Sequence, residues 1–208
     1  NTTAYYSYTL RDWDRANTFG GKSINNILAD PITNQEGYEI MSGKANGAIE
    51  GQASNRTYLS KGLQTNAQYS FTTNEISHKF QVGIRYHTDQ ADRYATSSTS
   101  TMTNGVLIQT GIGFKGNKEN QIRNAKSFAT FLSYDLSYKG LKVSPGVRYE
   151  KVNIDFQNYG TADNARLGTD LKSAKNDLFI VLPGIGINFE LNPNMSAFGG
   201  VHKGFSPP

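Results

Sequence analysis

Three side chains close together in sequence, His87, Asp89 and Asp92, are the chain's nearest approach to a metal-ligating set. On an extended strand His87 and Asp89 share a face and stand about 6–7 Å apart. Two carboxylates and one imidazole at a strand end do not specify a metal, and no metal ligand is assigned. The arginines offer a different chemistry. Arg85 and Arg148 fall on the polar face of alternating segments, Arg93 follows the end of one such segment, and Arg123 precedes the start of another. A guanidinium is planar and always charged, and it binds a carboxylate through two parallel N–H bonds. Arg85, His87, Arg93 and Arg148 are therefore candidate binding residues for an anionic ligand. The competing reading pairs these arginines with acids on their own face, such as Glu150.

Catalysis has no comparable support. None of the three histidines, His78, His87 and His202, lies in a G-x-S-x-G motif, and there is no G-x-x-x-x-G-K-[ST] phosphate loop. Without cysteine there is neither a disulfide scaffold nor a cysteine-based metal site. No catalytic residue and no cofactor is expected.

The elements that carry the arginines read as long strands. In the last third, Phe179, Val181, Pro183, Ile185, Ile187, Phe189 and Leu191 occupy every second position, opposite Gly184, Gly186, Asn188 and Glu190. Strand side chains alternate faces, so the seven form one apolar row. A soluble strand is usually about 5–6 residues long, whereas a strand that crosses a bilayer needs about 9–11, apolar outward and polar inward. The same alternation places Phe80, Val82, Ile84 and Tyr86 opposite Gln81, Gly83, Arg85 and His87, and Leu141, Val143, Pro145, Val147 and Tyr149 opposite Lys142, Ser144, Gly146, Arg148 and Glu150. The expected strands cover 3–13, 57–71, 77–89, 125–138, 141–155, 177–191 and 195–205. Near Val152 the alternation shifts, as at a β-bulge. Short turns fall at 72–75, 139–140 and 192–194. Residues 14–55, 90–121 and 156–175 lack periodicity and read as long loops, the second carrying a small hairpin at Asn104-Gly105.

Composition agrees. The chain has 208 residues, 37% of them hydrophobic, a mean hydropathy of −0.54, 12 Tyr, 11 Phe and one Trp. No apolar run approaches the ~18 residues of a membrane helix, which excludes a helical membrane protein but not a barrel. The net charge of +4 is mild, with no basic block, so no nucleic-acid partner is expected. The sequence opens at Asn1 with no signal peptide, as a processed or an excerpted chain would.

Short turns at one end of the strands and long loops at the other is the plan of an outer-membrane β-barrel. Seven strands do not close into an even-numbered barrel, so the fold expected is all-β, an antiparallel transmembrane segment of a larger one. A long hairpin in a soluble sandwich remains the alternative.

Several motifs resemble those of TonB-dependent outer-membrane receptors, nearest the branch of ferric dicitrate and siderophore transporters. They are Gly83-Ile-Arg-Tyr-His-Thr-Asp89 with Asp92-Arg93, Pro145-Gly-Val-Arg-Tyr-Glu150, Leu182-Pro-Gly-Ile-Gly186 and Phe198-Gly-Gly-Val-His-Lys-Gly-Phe-Ser-Pro-Pro208, with Ala4-Tyr-Tyr to Arg11-Asp-Trp13 at the start. The resemblance implies a 22-stranded barrel around a plug, of which this chain would supply about a third. Residues 1–208 would be a partial barrel domain in the bacterial outer membrane, without the plug and without a TonB box. The implied function is import of a ferric siderophore or other chelated iron complex, driven by the TonB complex acting through the plug region, with outer-membrane lipid around the wall. A passive porin and a soluble all-β ligand-binding module are the alternatives.

Overall fold

The computed structural model of the chain describes residues 1–205; the last three residues of the terminal motif, 206–208, lie outside that description. Seven long strands form one antiparallel sheet: β1 (Thr2–Phe19), β3 (Gly47–Thr73), β4 (Ile76–Thr103), β6 (Glu119–Tyr138), β7 (Leu141–Asn158), β8 (Lys172–Asn192) and β9 (Met195–His202). Two short strands, β2 (Lys22–Ser23) and β5 (Val106–Ile112), pair with the far ends of β1 and β4. The order is β2-β1-β3-β4-β6-β7-β8-β9, and among the described residues the outer strands do not meet.

The turns follow from their residues. Asn74-Glu75, Asn104-Gly105 and Lys139-Gly140 each have positive φ at both positions, the two-residue geometry that matches the twist of a hairpin. At Pro193-Asn194 the Asn192 side chain accepts the Asn194 N–H at 3.0 Å, beside a register shift between Glu190 and Asn192. The β3–β4, β6–β7 and β8–β9 turns lie at one end of the sheet, and the three long connections at the other, as the pattern requires.

The strands outrun the expectation. β3 has 27 residues and β4 has 28, about 90 Å of chain against an apolar band about 25 Å tall. Their far halves are polar on both faces, which hides a strand from any test based on apolar alternation. The supposed loop 14–55 is therefore the end of β1, a compact crossover and the start of β3. The crossover holds α1 (Ile24–Ala29), capped by the Ser23 hydroxyl, and α2 (Gln35–Met41). Ile27 and Ile40 from these helices pack with Phe19 and Ile49 into a buried apolar cluster. Within 90–121 the connections shrink to Asn104-Gly105 and 113–118, and 156–175 shrinks to 159–171. No bulge occurs at Val152: the β6–β7 and β7–β8 registers run through it unbroken. The apolar residues change face there because Val152, Ile154 and Phe156 stand beyond the apolar band, where Phe156 packs under Arg123.

One face of the sheet is apolar and exposed. Phe179, Val181, Ile185, Ile187, Phe189 and Leu191 are each 43–63% accessible, while the alternate residues from Leu178 to Asn188 are more covered. The row continues across the sheet through Val147, Leu132 and Val82, and beside it through Ile84. Aromatic side chains bound it. Phe71, His78, Phe80 and Tyr134 stack near the short turns, with centroids 4.5–6.2 Å apart. Tyr86, Phe128 and Phe179 mark the other edge. From Phe80 to Tyr86 the strand rises about 20 Å. An apolar belt between aromatic girdles is what a bilayer selects. A soluble sandwich would bury this row, since exposed apolar patches beyond a few hundred Å² are rare on soluble monomers.

Candidate functional site

The opposite, polar face holds the arginines. The register places Arg11 of β1 beside Arg56 of β3, and Arg56 beside Arg93 of β4, in one cross-strand row. Direct partners lie about 5 Å apart, so three guanidinium groups start from a span of about 10 Å of backbone. Arg93 Nη2 pairs with Glu119 at 3.0 Å. Arg11 and Arg56 have no ion-pair partner among the described residues. The Nε atoms of Arg56 and Arg93 are buried with no protein acceptor among the described residues. Buried donors are rarely left unpaired, and here two of them belong to adjacent cations. Arg123, one residue further along the same face, lies over the Phe156 ring at 5.1 Å.

Two rows and more towards the short turns, a second group is built by a glycine. Tyr5, Gly62 and His87 share one cross-strand row. Because Gly62 has no side chain, the Tyr5 ring crosses β3 above it and reaches β4. Its hydroxyl lies 2.5 Å from His87 Nδ1 and accepts Arg85 Nε–H at 3.2 Å. His87 Nε2 lies 2.6 Å from Asp89 Oδ2, and Ser60 Oγ donates to the other carboxylate oxygen. A carboxylate oxygen accepts, so the Nε2–H of His87 donates to Asp89. The string Arg85–Tyr5–His87–Asp89–Ser60 fixes each side chain and presents Arg85 along the wall.

The four candidate residues thus divide. Arg85 and His87 meet through Tyr5, Arg93 joins the arginine row, and Arg148 is clamped to Glu150, its Nε donating at 2.9 Å. The acid-paired reading is met at Arg93 and Arg148. Asp92 lies on the apolar side of β4, away from His87 and Asp89, and takes both Arg166 Nη groups, at 2.6 and 3.0 Å. Arg166 also donates to Asn120 at 2.7 Å, locking the 159–171 connection against the sheet. Asp92 raises the Arg166 guanidinium further above its ordinary range. In the same connection burial pushes the Asp163 carboxyl up, but the N–H groups of Leu167, Gly168, Thr169 and Arg166 outweigh it and hold the group below the ordinary carboxylate range. Sequence reasoning missed Arg11 and Arg56 as site residues, and Tyr5 with Gly62. Strand register alone brings them together, and no local pattern encodes it.

A family model described as "TonB dependent receptor-like, beta-barrel" matches residues 1–208. No curated protein matches the chain. Among solved structures, the ferric citrate transporter FecA, unliganded, aligns with a TM-score of 0.58 at 14% identity, over 76% of this chain and 24% of that one. The siderophore receptor PiuA from Acinetobacter baumannii aligns with a TM-score of 0.58 at 16% identity, over 96% of this chain and 28% of that one. At these identities the likeness is one of fold. The chain spans about a quarter of the length of either structure.

Proposed function

The chain belongs to the TonB-dependent receptor-like β-barrel family, and from that premise we propose that it is part of the wall of a bacterial outer-membrane receptor that imports a chelated iron complex of the ferric siderophore or ferric citrate type. The apolar belt faces lipid and the arginine face lines the lumen. Energy comes from the TonB complex acting through a plug region that residues 1–208 do not contain.

The arginine row carries this reading. A chelated ferric ion arrives with its coordination filled by anionic oxygens. The wall then needs cations and N–H donors, not metal ligands. Arg11 and Arg56 supply uncompensated charge and planar forks for a chelator carboxylate. Arg93 and Arg148, each neutralised by an acid, tune the wall, and Arg85 extends the cationic track past Tyr5 and His87. A passive porin on the same wall would admit anions without TonB.

The test is ferric citrate binding by the full-length protein in detergent. A hydrogen bond to a charged group contributes about 1.5–3 kcal/mol, so Arg56→Ala should weaken binding by about 10–100-fold. Arg148→Ala, which removes a cation already paired, should change it far less. Equal binding by wild type and Arg56→Ala removes the arginine row from the site. Uptake that persists without TonB selects the porin reading.

A further inference from the structure

On the lipid-facing side, just beyond the aromatic edge of the belt, Lys61, Thr88 and Lys126 form one cross-strand row over β3, β4 and β6. The next row towards the membrane is Leu63, Tyr86 and Phe128, all exposed and apolar. The lysines line a cleft of about 420 Å³ whose other walls include Leu59, Tyr86, Gln90 and Asn124. Neither lysine has an ion-pair partner among the described residues. Asp89 also borders the cleft, but its carboxylate is engaged by His87 and Ser60 on the other face. Lys151 stands one row closer to the belt, its ammonium 5.1 Å from the Phe179 ring. Lys126 also borders a neighbouring cleft lined by Lys175, Asp155 and Asp177, and pairs with neither acid among the described residues. Asp89 is the one acid among the residues lining the Lys61–Lys126 cleft, so that cleft keeps a cationic excess.

We propose that this cleft binds the phosphorylated headgroup of a lipid in the outer leaflet. The phosphate sits between Lys61 and Lys126, whose strands are two spacings, about 10 Å, apart. The acyl chains lie along Leu63, Tyr86, Phe128 and Ile84. A headgroup phosphate and its chains meet this geometry together, because the cations stand one strand row above the apolar surface. The site rests on the reading of the sheet as a membrane wall, and lies on the face opposite the arginine row.

The test uses the full-length protein in detergent, titrated with bis-phosphorylated lipid A and with the same lipid stripped of both phosphates, bound lipid being counted by native mass spectrometry. Each lysine near an anionic lipid surface contributes a factor of about five, so Lys61→Gln with Lys126→Gln should weaken binding of the phosphorylated lipid by about 30-fold. The dephosphorylated lipid should bind weakly to both proteins, and the distant pair Lys22→Gln with Lys44→Gln should bind like wild type. Equal retention of phosphorylated lipid by wild type and the Lys61/Lys126 variant overturns the site, as does equal binding of the two lipids by wild type. A nitroxide at Ile185 separates the failures. If lipid-confined quencher reaches it while the variant binds unchanged, only the headgroup site falls. If it does not, the membrane wall falls with it.

Discussion

Gly62→Ala is a small change with a large expected cost. A Cβ at Gly62 would stand 2.5 Å from Tyr5 Cζ and 2.6 Å from the Tyr86 carbonyl oxygen. The Tyr5 ring must then leave β3, and its hydroxyl loses His87 and Arg85. Two such bonds contribute about 2–3 kcal/mol net. Easing β4 away from the new methyl adds about 1 kcal/mol, the low end of overpacking costs. The sum is about 3–4 kcal/mol, large beside the total stability of most domains. In a Tyr5→Ala background the ring is already gone, and the same substitution should cost only the backbone part, about 1 kcal/mol. Urea unfolding of the four full-length proteins in detergent, read as a double-mutant cycle, should therefore give a coupling of about 2–3 kcal/mol. Equal cost of Gly62→Ala in both backgrounds would refute the bridge across β3.

Two further outcomes follow from the two faces and the long connection. Ile185→Arg places a charge in the middle of the belt and should destabilise the barrel by about 2–4 kcal/mol, lowering heat-modifiable protein in membranes, whereas Asn188→Arg on the lumenal face should be tolerated; equal loss in both variants would contradict the assignment of faces. The folded Asp163 carboxyl is held below its ordinary range, so its stabilisation is present above that range and is lost as pH falls through the folded value. Hydrogen-exchange protection across 159–171, taken relative to the intrinsic rate at each pH, should fall under acid, and Asp163→Asn should be poorly protected already at neutral pH; pH-independent protection in the wild type would contradict this.

The apolar half of the sheet was legible because one physical constraint writes it locally: Phe179 to Leu191 and Phe80 to Tyr86 alternate because one face of the sheet is apolar and the other polar. Where both faces carry mainly polar or small residues, as in Glu50–Thr57 and Tyr94–Thr103, nothing obliges alternation, and strands read as loops. The helices of six and seven residues are too short for a 3.6-residue period to show, although Ser23 before Ile24 and Ile27 is a cap in front of an apolar pair. At the site, Arg85, His87 and Arg148 were legible as polar-face residues by parity, and Arg93 only as a residue beyond a strand end. Their partners were not, except for Glu150, two positions from Arg148. Arg11, Arg56 and Arg93 are separated by tens of residues and meet only through the registers of β1, β3 and β4. Tyr5 above Gly62 depends on the same registers.

The membrane assignment stands on the Phe179–Leu191 row facing lipid. Single nitroxide labels at Val181, Ile185 and Ile187 of the full-length protein, reconstituted in bilayers and exposed in turn to oxygen dissolved in lipid and to an aqueous nickel chelate, test it most directly. Strong relaxation by oxygen and weak relaxation by nickel are expected at all three, with the oxygen effect greatest at Ile185, in the middle of the row. Protection from both relaxants would mean that the row packs against protein, and would contradict the membrane wall.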